Sequence, residues 1–111
     1  MKKATLVILA LALALPLSAA TWKNVSLMDG GCAKKADVMA NPEKHSRSCA
    51  MKCEKAGYGA IVDGKFVKFD EKGNDLVKDA LKKSDKKDNL RVTVRGELKD
   101  GVINVSSLHL D

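Results

Sequence analysis

The chain has 111 residues, a net charge of +6 at pH 7 and 4% aromatic residues. This length fits one domain, and its lysines alternate with acidic residues as on an ordinary solvated surface. A domain of this size buries about 60–65% of its unfolded surface, so a disulfide or a metal would add useful stability. No Ser/His/Asp set, phosphate-cradling glycine loop or spaced carboxylate pair is evident, and we therefore expect a protein that is not an enzyme.

Residues 1–20 have the pattern of a secretory signal peptide. Lys2 and Lys3 precede an apolar run over residues 4–17, and small residues follow at 18–20. The run is shorter than the ~20 residues that span a bilayer, so we expect cleavage after Ala20 and no membrane span in the mature chain. A Lys-Lys start with an Ala/Leu-rich core is typical of bacterial signals and predicts a periplasmic or secreted protein. The mature domain would be residues 21–111.

The next stretch contains a strand and all three cysteines. Val25 and Leu27 alternate with polar residues, which predicts a half-buried strand over Thr21–Asp29 that ends at a pair of glycines. Asn41-Pro42-Glu43 then predicts the start of a helix, with Asn as the cap and Pro in the first turn. This helix would continue to about Ala56 and end at Gly57.

The remainder of the chain is predicted to be β-rich. Asp63-Gly64 joins two short apolar runs, which indicates a hairpin with a type I′ turn. Alternating apolar residues at 90, 92 and 94 and at 103 and 105 predict two further strands. The predicted elements are strands Tyr58–Val62 and Lys65–Phe69, a loop over 70–74, an amphipathic helix Asp75–Lys83, a charged linker over 84–89, and strands Leu90–Leu98 and Val102–Leu108.

This order of elements predicts the fold class. Five strands, with a helix between strands 3 and 4 and a Cys-bearing helical insertion between strands 1 and 2, correspond to a mainly β, five-stranded OB-like barrel. A barrel also removes the exposed edges that an open sheet would leave. The alternative is an open α+β sandwich with the same elements.

The mature chain resembles a group of small exported bacterial proteins of uncharacterised function. The resemblance rests on Asp29 at the end of the first strand, on Cys32, on the His-x3-Cys-x3-Cys motif of His45, Cys49 and Cys53, on Gly57 and Asp63-Gly64, and on the ending over residues 92–105. The chain differs by a lysine-rich insertion around residues 70–90 and by Ala33, where a glycine is common. The resemblance implies an OB-like barrel and export, and it implies no activity.

One interpretation of the cysteines is a disulfide formed after export. Cys49 and Cys53 are four residues apart on the predicted helix, with Cβ atoms ~5–6 Å apart, whereas a disulfide needs about 3.8 Å. Cys32 would therefore pair with Cys49 or Cys53 and leave one thiol over. Such a bridge would add about 3 kcal/mol by closing the loop.

The other interpretation is a metal site formed by Cys32, His45, Cys49 and Cys53. Three thiolates and an imidazole suit zinc or copper(I), and Met39 and Met51 could assist copper(I). On a continuous helix, however, His45 and Cys53 would lie ~12 Å apart, too far to share one ion. Either the helix begins after His45, or only part of the set joins Cys32. The odd number of cysteines keeps this interpretation open beside the disulfide, because a purely structural framework normally uses an even number. A redox or partner-linking thiol is the third interpretation.

These patterns predict a small exported binding or interaction module, with a periplasmic zinc- or copper-binding protein as the alternative. Its partner would be a small ligand, a metal or an envelope protein. Nucleic acid, a frequent ligand of OB folds, would need Tyr58, Phe66 and Phe69 as a stacking surface beside Lys65 and Lys68. The few aromatic residues and the predicted export argue against it.

Overall fold

A computed structural model describes residues 19–111 of the chain. The predicted signal peptide, except Ala19 and Ala20, lies outside these residues. No helix among the described residues is long and apolar enough to cross a membrane. The strands are β1 (Ala19–Asp29), β2 (Tyr58–Val62), β3 (Lys65–Phe69), β4 (Arg91–Lys99) and β5 (Val102–Leu110), and the α-helices are α1 (Ala36–Ala40), α2 (Arg47–Lys52) and α3 (Glu71–Lys83).

The five strands close into a barrel in the order β1-β2-β3-β5-β4. All neighbours are antiparallel except β3 and β5, which pair in parallel over two residue pairs, Lys68 with Val102 and Phe69 with Ile103. The predicted mainly β barrel, with a helix between strands 3 and 4 and helical elements between strands 1 and 2, is therefore confirmed. The open sandwich is excluded.

Alternation along the strands places the apolar side chains inside the barrel, as the sequence predicts. In β4, Val92 and Val94 are fully buried, and in β5 Ile103 and Val105 are buried while Asn104 is exposed. The hairpin turn is also as predicted, because Asp63 and Gly64 have φ values of 52° and 80°, the positive angles of a type I′ turn. Helix α3 completes the core with Val77 and Leu81.

Helix α3 begins at Glu71, four residues earlier than predicted. The sequence prediction of a loop over 70–74 was wrong because Gly73 is a packed helical residue. A Cβ at Gly73 would lie 2.6 Å from Val105 and 2.7 Å from Phe69, so glycine lets the first turn approach the barrel. Asp70 caps the helix by accepting a hydrogen bond from the Gly73 amide at 2.9 Å.

The insertion between β1 and β2, residues 30–57, does not contain the predicted continuous helix over 41–56. Pro42–Lys44 forms a 3-10 turn, and His45 has extended backbone angles of −68° and 123°. The α-helix starts only at Arg47, with Ser46 as its cap, and ends at Lys52. Further 3-10 turns lie at Cys32–Lys34 and Glu54–Ala56.

The insertion is held against the linker that follows α3. The Arg47 amide donates to the Lys87 carbonyl at 2.8 Å, and the Asn89 amide donates to the Glu43 carbonyl at 3.0 Å. The Arg47 side chain also donates from Nε to the Leu81 carbonyl, at the end of α3, at 3.0 Å. These bonds fix the backbone on both sides of His45.

Candidate metal centre

The centre of the candidate site is Asp29, the last residue of β1. Its side chain is completely buried, where an unpaired carboxylate would be costly. Both carboxylate oxygens have partners: Oδ1 accepts a hydrogen bond from the Cys32 amide at 2.8 Å, and Oδ2 lies 2.7 Å from Nε2 of His45. Asp29 thereby connects the end of β1 to two residues of the insertion, Cys32 and His45.

His45 is 4% exposed and faces Asp29 because the backbone is extended at this residue. A carboxylate can only accept hydrogen bonds, so Nε2 of His45 is the donor in this pair. In the corresponding tautomer of an uncharged imidazole, the lone pair is on Nδ1. This atom is buried and has no hydrogen-bond partner among the described residues. A buried polar atom without a partner requires an explanation, and a bound ion is one.

Cys32 lies one residue beyond the glycine pair, in the 3-10 turn, and is 7% exposed. Burial, reinforced by the negative charge of Asp29, raises the pKa of the Cys32 thiol to about 11. The thiol is therefore protonated at neutral pH, and a bound cation would have to displace this proton.

Asp29, Cys32 and His45 form a buried group that could hold a metal ion. One ligand atom from each residue lies within 4.8 Å of the other two. The sequence predicted Cys32 and His45 as ligands and missed Asp29, which it treated as the end of a strand. The available signal was an acidic residue directly after the apolar positions of β1, followed by glycines that turn the chain back onto it.

Cys49 and Cys53, the other two predicted ligands, are not members of this close group. Cys49 is exposed on α2, and Cys53 is half-buried at the end of that helix. Cys53 nevertheless lies close to Asp29, because a Cβ built at Gly31 would lie 3.2 Å from Asp29 Oδ1 and 3.5 Å from Cys53 Sγ. The charge of Asp29, then desolvation, then a hydrogen bond with Asp29 raise the pKa of the Cys53 thiol. The structure thus brings together two of the four predicted ligands and leaves two thiols nearby.

All three cysteines are free thiols in the structure. The predicted disulfide between Cys32 and Cys49 or Cys53 is therefore not seen. The sequence argument that His45 and Cys53 are too far apart to share one ion assumed a continuous helix between them. Because the chain is extended at His45, the imidazole is not forced ~12 Å from Cys53 along a helix axis.

A cavity of about 360 Å³ adjoins the buried group. Three of the candidate ligands border it: Cys32, His45 and Cys49. Asp29 and Cys53 do not. The remaining lining residues all lie in the insertion and are Lys35, Asp37, Val38, Asn41, Lys44 and Ser46.

The aromatic residues considered for nucleic-acid stacking are mostly inside the barrel. Tyr58 is 2% exposed and Phe69 is 3% exposed, so neither can stack on a base. Phe66 is half-buried. Met39 and Met51, considered for copper(I), do not line the cavity.

Comparisons with protein-family models, with curated proteins and with solved structures find no match to this chain.

Proposed function

We propose that this protein binds one transition-metal ion, zinc in the first place, at Cys32 and His45. The observation that carries the proposal is the buried Nδ1 of His45, which has no hydrogen-bond partner among the described residues. His45 is also a member of the close buried group with Asp29 and Cys32. A structural hydrogen-bond cluster would not require an unsatisfied imidazole nitrogen.

In this proposal His45 binds the metal through Nδ1, and Asp29 supports it from behind. A metal-bound histidine commonly donates its other N–H to a carboxylate, which fixes the orientation of the ring. The 2.7 Å contact between Nε2 and Asp29 supports this role. Both oxygens of Asp29 already accept hydrogen bonds, which makes direct ligation by Asp29 the less favourable arrangement. Cys49 or Cys53 would supply a further thiolate.

Zinc fits this set better than copper(I). Imidazole and thiolate are common zinc ligands, and a zinc site is usually tetrahedral. Copper(I) prefers thiolate and thioether ligands, but neither Met39 nor Met51 lines the cavity beside the site.

We also propose that the protein works outside the cytoplasm, as a small binding module without catalytic activity. The Lys-Lys start, apolar run and small residues of the first 20 positions support export. In an oxidising compartment a disulfide competes with the metal for the same thiols.

The test is metal analysis and intact mass of protein purified from the periplasm, with and without reductant. We expect one zinc per chain and three reduced thiols. A mass lower by two hydrogens, one free thiol and no bound metal would contradict the proposal and favour the disulfide.

Matched histidine variants locate the site. We expect His45→Gln to weaken zinc binding by more than the roughly 10–100-fold that loss of an outer partner costs. His109→Gln is the control, because His109 is exposed on β5. Circular dichroism of both variants checks the fold, and Cys32→Ser provides a second variant of the same site. Equal zinc affinity in all three proteins would exclude it.

A further inference from the structure

The residues that border the cavity indicate how many protein ligands the metal ion would have. We propose that the metal site is open: Cys32, His45 and Cys49 hold the ion at the cavity wall, and the fourth position takes a small anionic ligand. This inference rests on the proposed function and extends it to a second ligand.

The cavity separates the five candidate residues into two sets. Cys32, His45 and Cys49 border it, whereas Asp29 and Cys53 do not. An ion bound by the first set alone has two thiolates, one imidazole and one remaining tetrahedral position. Zinc sites with three protein ligands keep that position for water or an exogenous molecule, whereas four protein ligands close it.

The chemistry of the wall indicates an anion. Lys35 and Lys44 contribute two positive charges, and Asp37 is the single acidic residue among the lining residues. Asn41 and Ser46 add hydrogen-bonding groups, and Val38 adds a small apolar surface. A negative group on the metal would therefore be attracted both by the ion and by the lysines.

The size of the cavity limits the ligand to a small molecule. A volume of about 360 Å³ lies at the lower end of the ~300–1,000 Å³ of small-molecule sites. The exposure of Cys49 places the ion near solvent and gives an exogenous ligand direct access. A carboxylate, a phosphate or a small thiolate would suit such a position.

The test uses the mature protein with cobalt(II) in place of zinc and azide as the probe anion. The intensity of the thiolate-to-cobalt absorption reports the number of bound thiolates, and we expect two. Cys49→Ser should remove one of them, whereas Cys53→Ser should leave the spectrum unchanged. Azide should shift the visible bands of the cobalt protein in a saturable way.

Lysine variants connect the anion to the cavity. Lys44→Gln and Lys35→Gln should each weaken azide binding, by up to about tenfold for one charge near the ion. Lys65→Gln, an exposed lysine of the hairpin that does not border the cavity, should have no effect. Three bound thiolates with no response to azide would mean a closed site and would overturn this inference alone. A protein that binds neither cobalt nor zinc would overturn the proposed function as well.

Discussion

The barrel and the insertion over residues 30–57 are stabilised in different ways. The barrel and α3 contribute every member of the buried apolar core except Ala50 and Leu90, which directly precedes β4. Within 30–57, the buried residues are Cys32, His45 and Ala50. The insertion therefore depends on hydrogen bonds to Asp29 and to the linker rather than on apolar burial. Its local free energy of unfolding should be lower than that of the barrel and more sensitive to a bound ion.

The largest expected effect concerns the barrel. Ile103 is fully buried and pairs with Phe69 across the parallel contact between β3 and β5. Ile103→Ala should lower the free energy of unfolding by about 2–5 kcal/mol, because it leaves a cavity in the core. Urea denaturation measures this loss. Leu98→Ala, at an exposed position of β4, is the control. Equal losses in the two variants would contradict the assignment of the core.

Zinc binding should stabilise the insertion over residues 30–57 rather than the barrel. At a free concentration of 100 times Kd, a ligand that binds only the folded state stabilises it by about 2.7 kcal/mol. Hydrogen exchange should show the added protection at amides of the insertion first, above all around Cys32 and His45. Protection confined to barrel strands would place the metal elsewhere.

Asp29→Asn tests the contact between the two regions. The substitution keeps the size of the side chain but removes a charged acceptor that serves both Cys32 and His45. We expect a loss of about 1–3 kcal/mol and roughly 10–100-fold weaker zinc binding with unchanged stoichiometry. Asp63→Asn, at the exposed hairpin turn, is the matched control. A loss of stoichiometric binding would instead make Asp29 a direct ligand.

Tyr58 joins the barrel to the insertion through its hydroxyl, which donates to the Ala50 carbonyl at 2.8 Å. Tyr58→Phe should cost about 1 kcal/mol at neutral pH. Burial raises the pKa of Tyr58 from 10.0 to about 12. A raised folded-state pKa gives stability that is complete below the unfolded pKa and lost as pH rises through the folded one. The difference between wild type and Tyr58→Phe should therefore shrink between pH 10 and pH 12.

Denaturant titrations of both proteins across this range measure that difference. Ionisation of Cys32 changes the stability of wild type and Tyr58→Phe equally, so it cancels in the difference between them. A constant difference between the two proteins would contradict the burial of the phenol.

Thiol labelling is the least disruptive test and need not change stability. In the metal-free, reduced protein, iodoacetamide should modify Cys49 first, because it is exposed. Cys53 should follow, and Cys32 should react last, because it is buried and burial raises its pKa to about 11. Peptide mass mapping over time gives the order. Labelling of Cys32 as fast as Cys49 would show that the insertion opens readily.

The same contrast explains what the sequence could predict. The hairpin at Asp63-Gly64 and the alternation of β4 and β5 are local patterns, and they predicted the barrel closely. Asn41-Pro42 is a local helix signal too, yet the helix starts only after Ser46. The backbone is extended at His45, which local propensity does not predict. The side chain of His45 instead contacts Asp29 at 2.7 Å, sixteen residues away in the chain.

The site could be predicted in part for the same reason. Cys32 and His45 are residue types that suggest metal binding in any context, so composition and spacing made them candidate ligands. Asp29 is one of many acidic residues, and its importance depends on complete burial at the end of β1. Burial of a single polar residue is a property of the tertiary structure and has no periodic signal in the sequence.

The pairing of the insertion with the linker also has a consequence for the order of folding. The backbones of Glu43 and Arg47 form hydrogen bonds with those of Asn89 and Lys87. Asn89 and Lys87 follow β2, β3 and α3 in the chain. Contacts this distant in the chain form after local ones, since closing the intervening loop costs entropy. The surroundings of His45 should therefore be completed late, on a barrel that is already assembling. Bound zinc should then slow unfolding rather than accelerate folding.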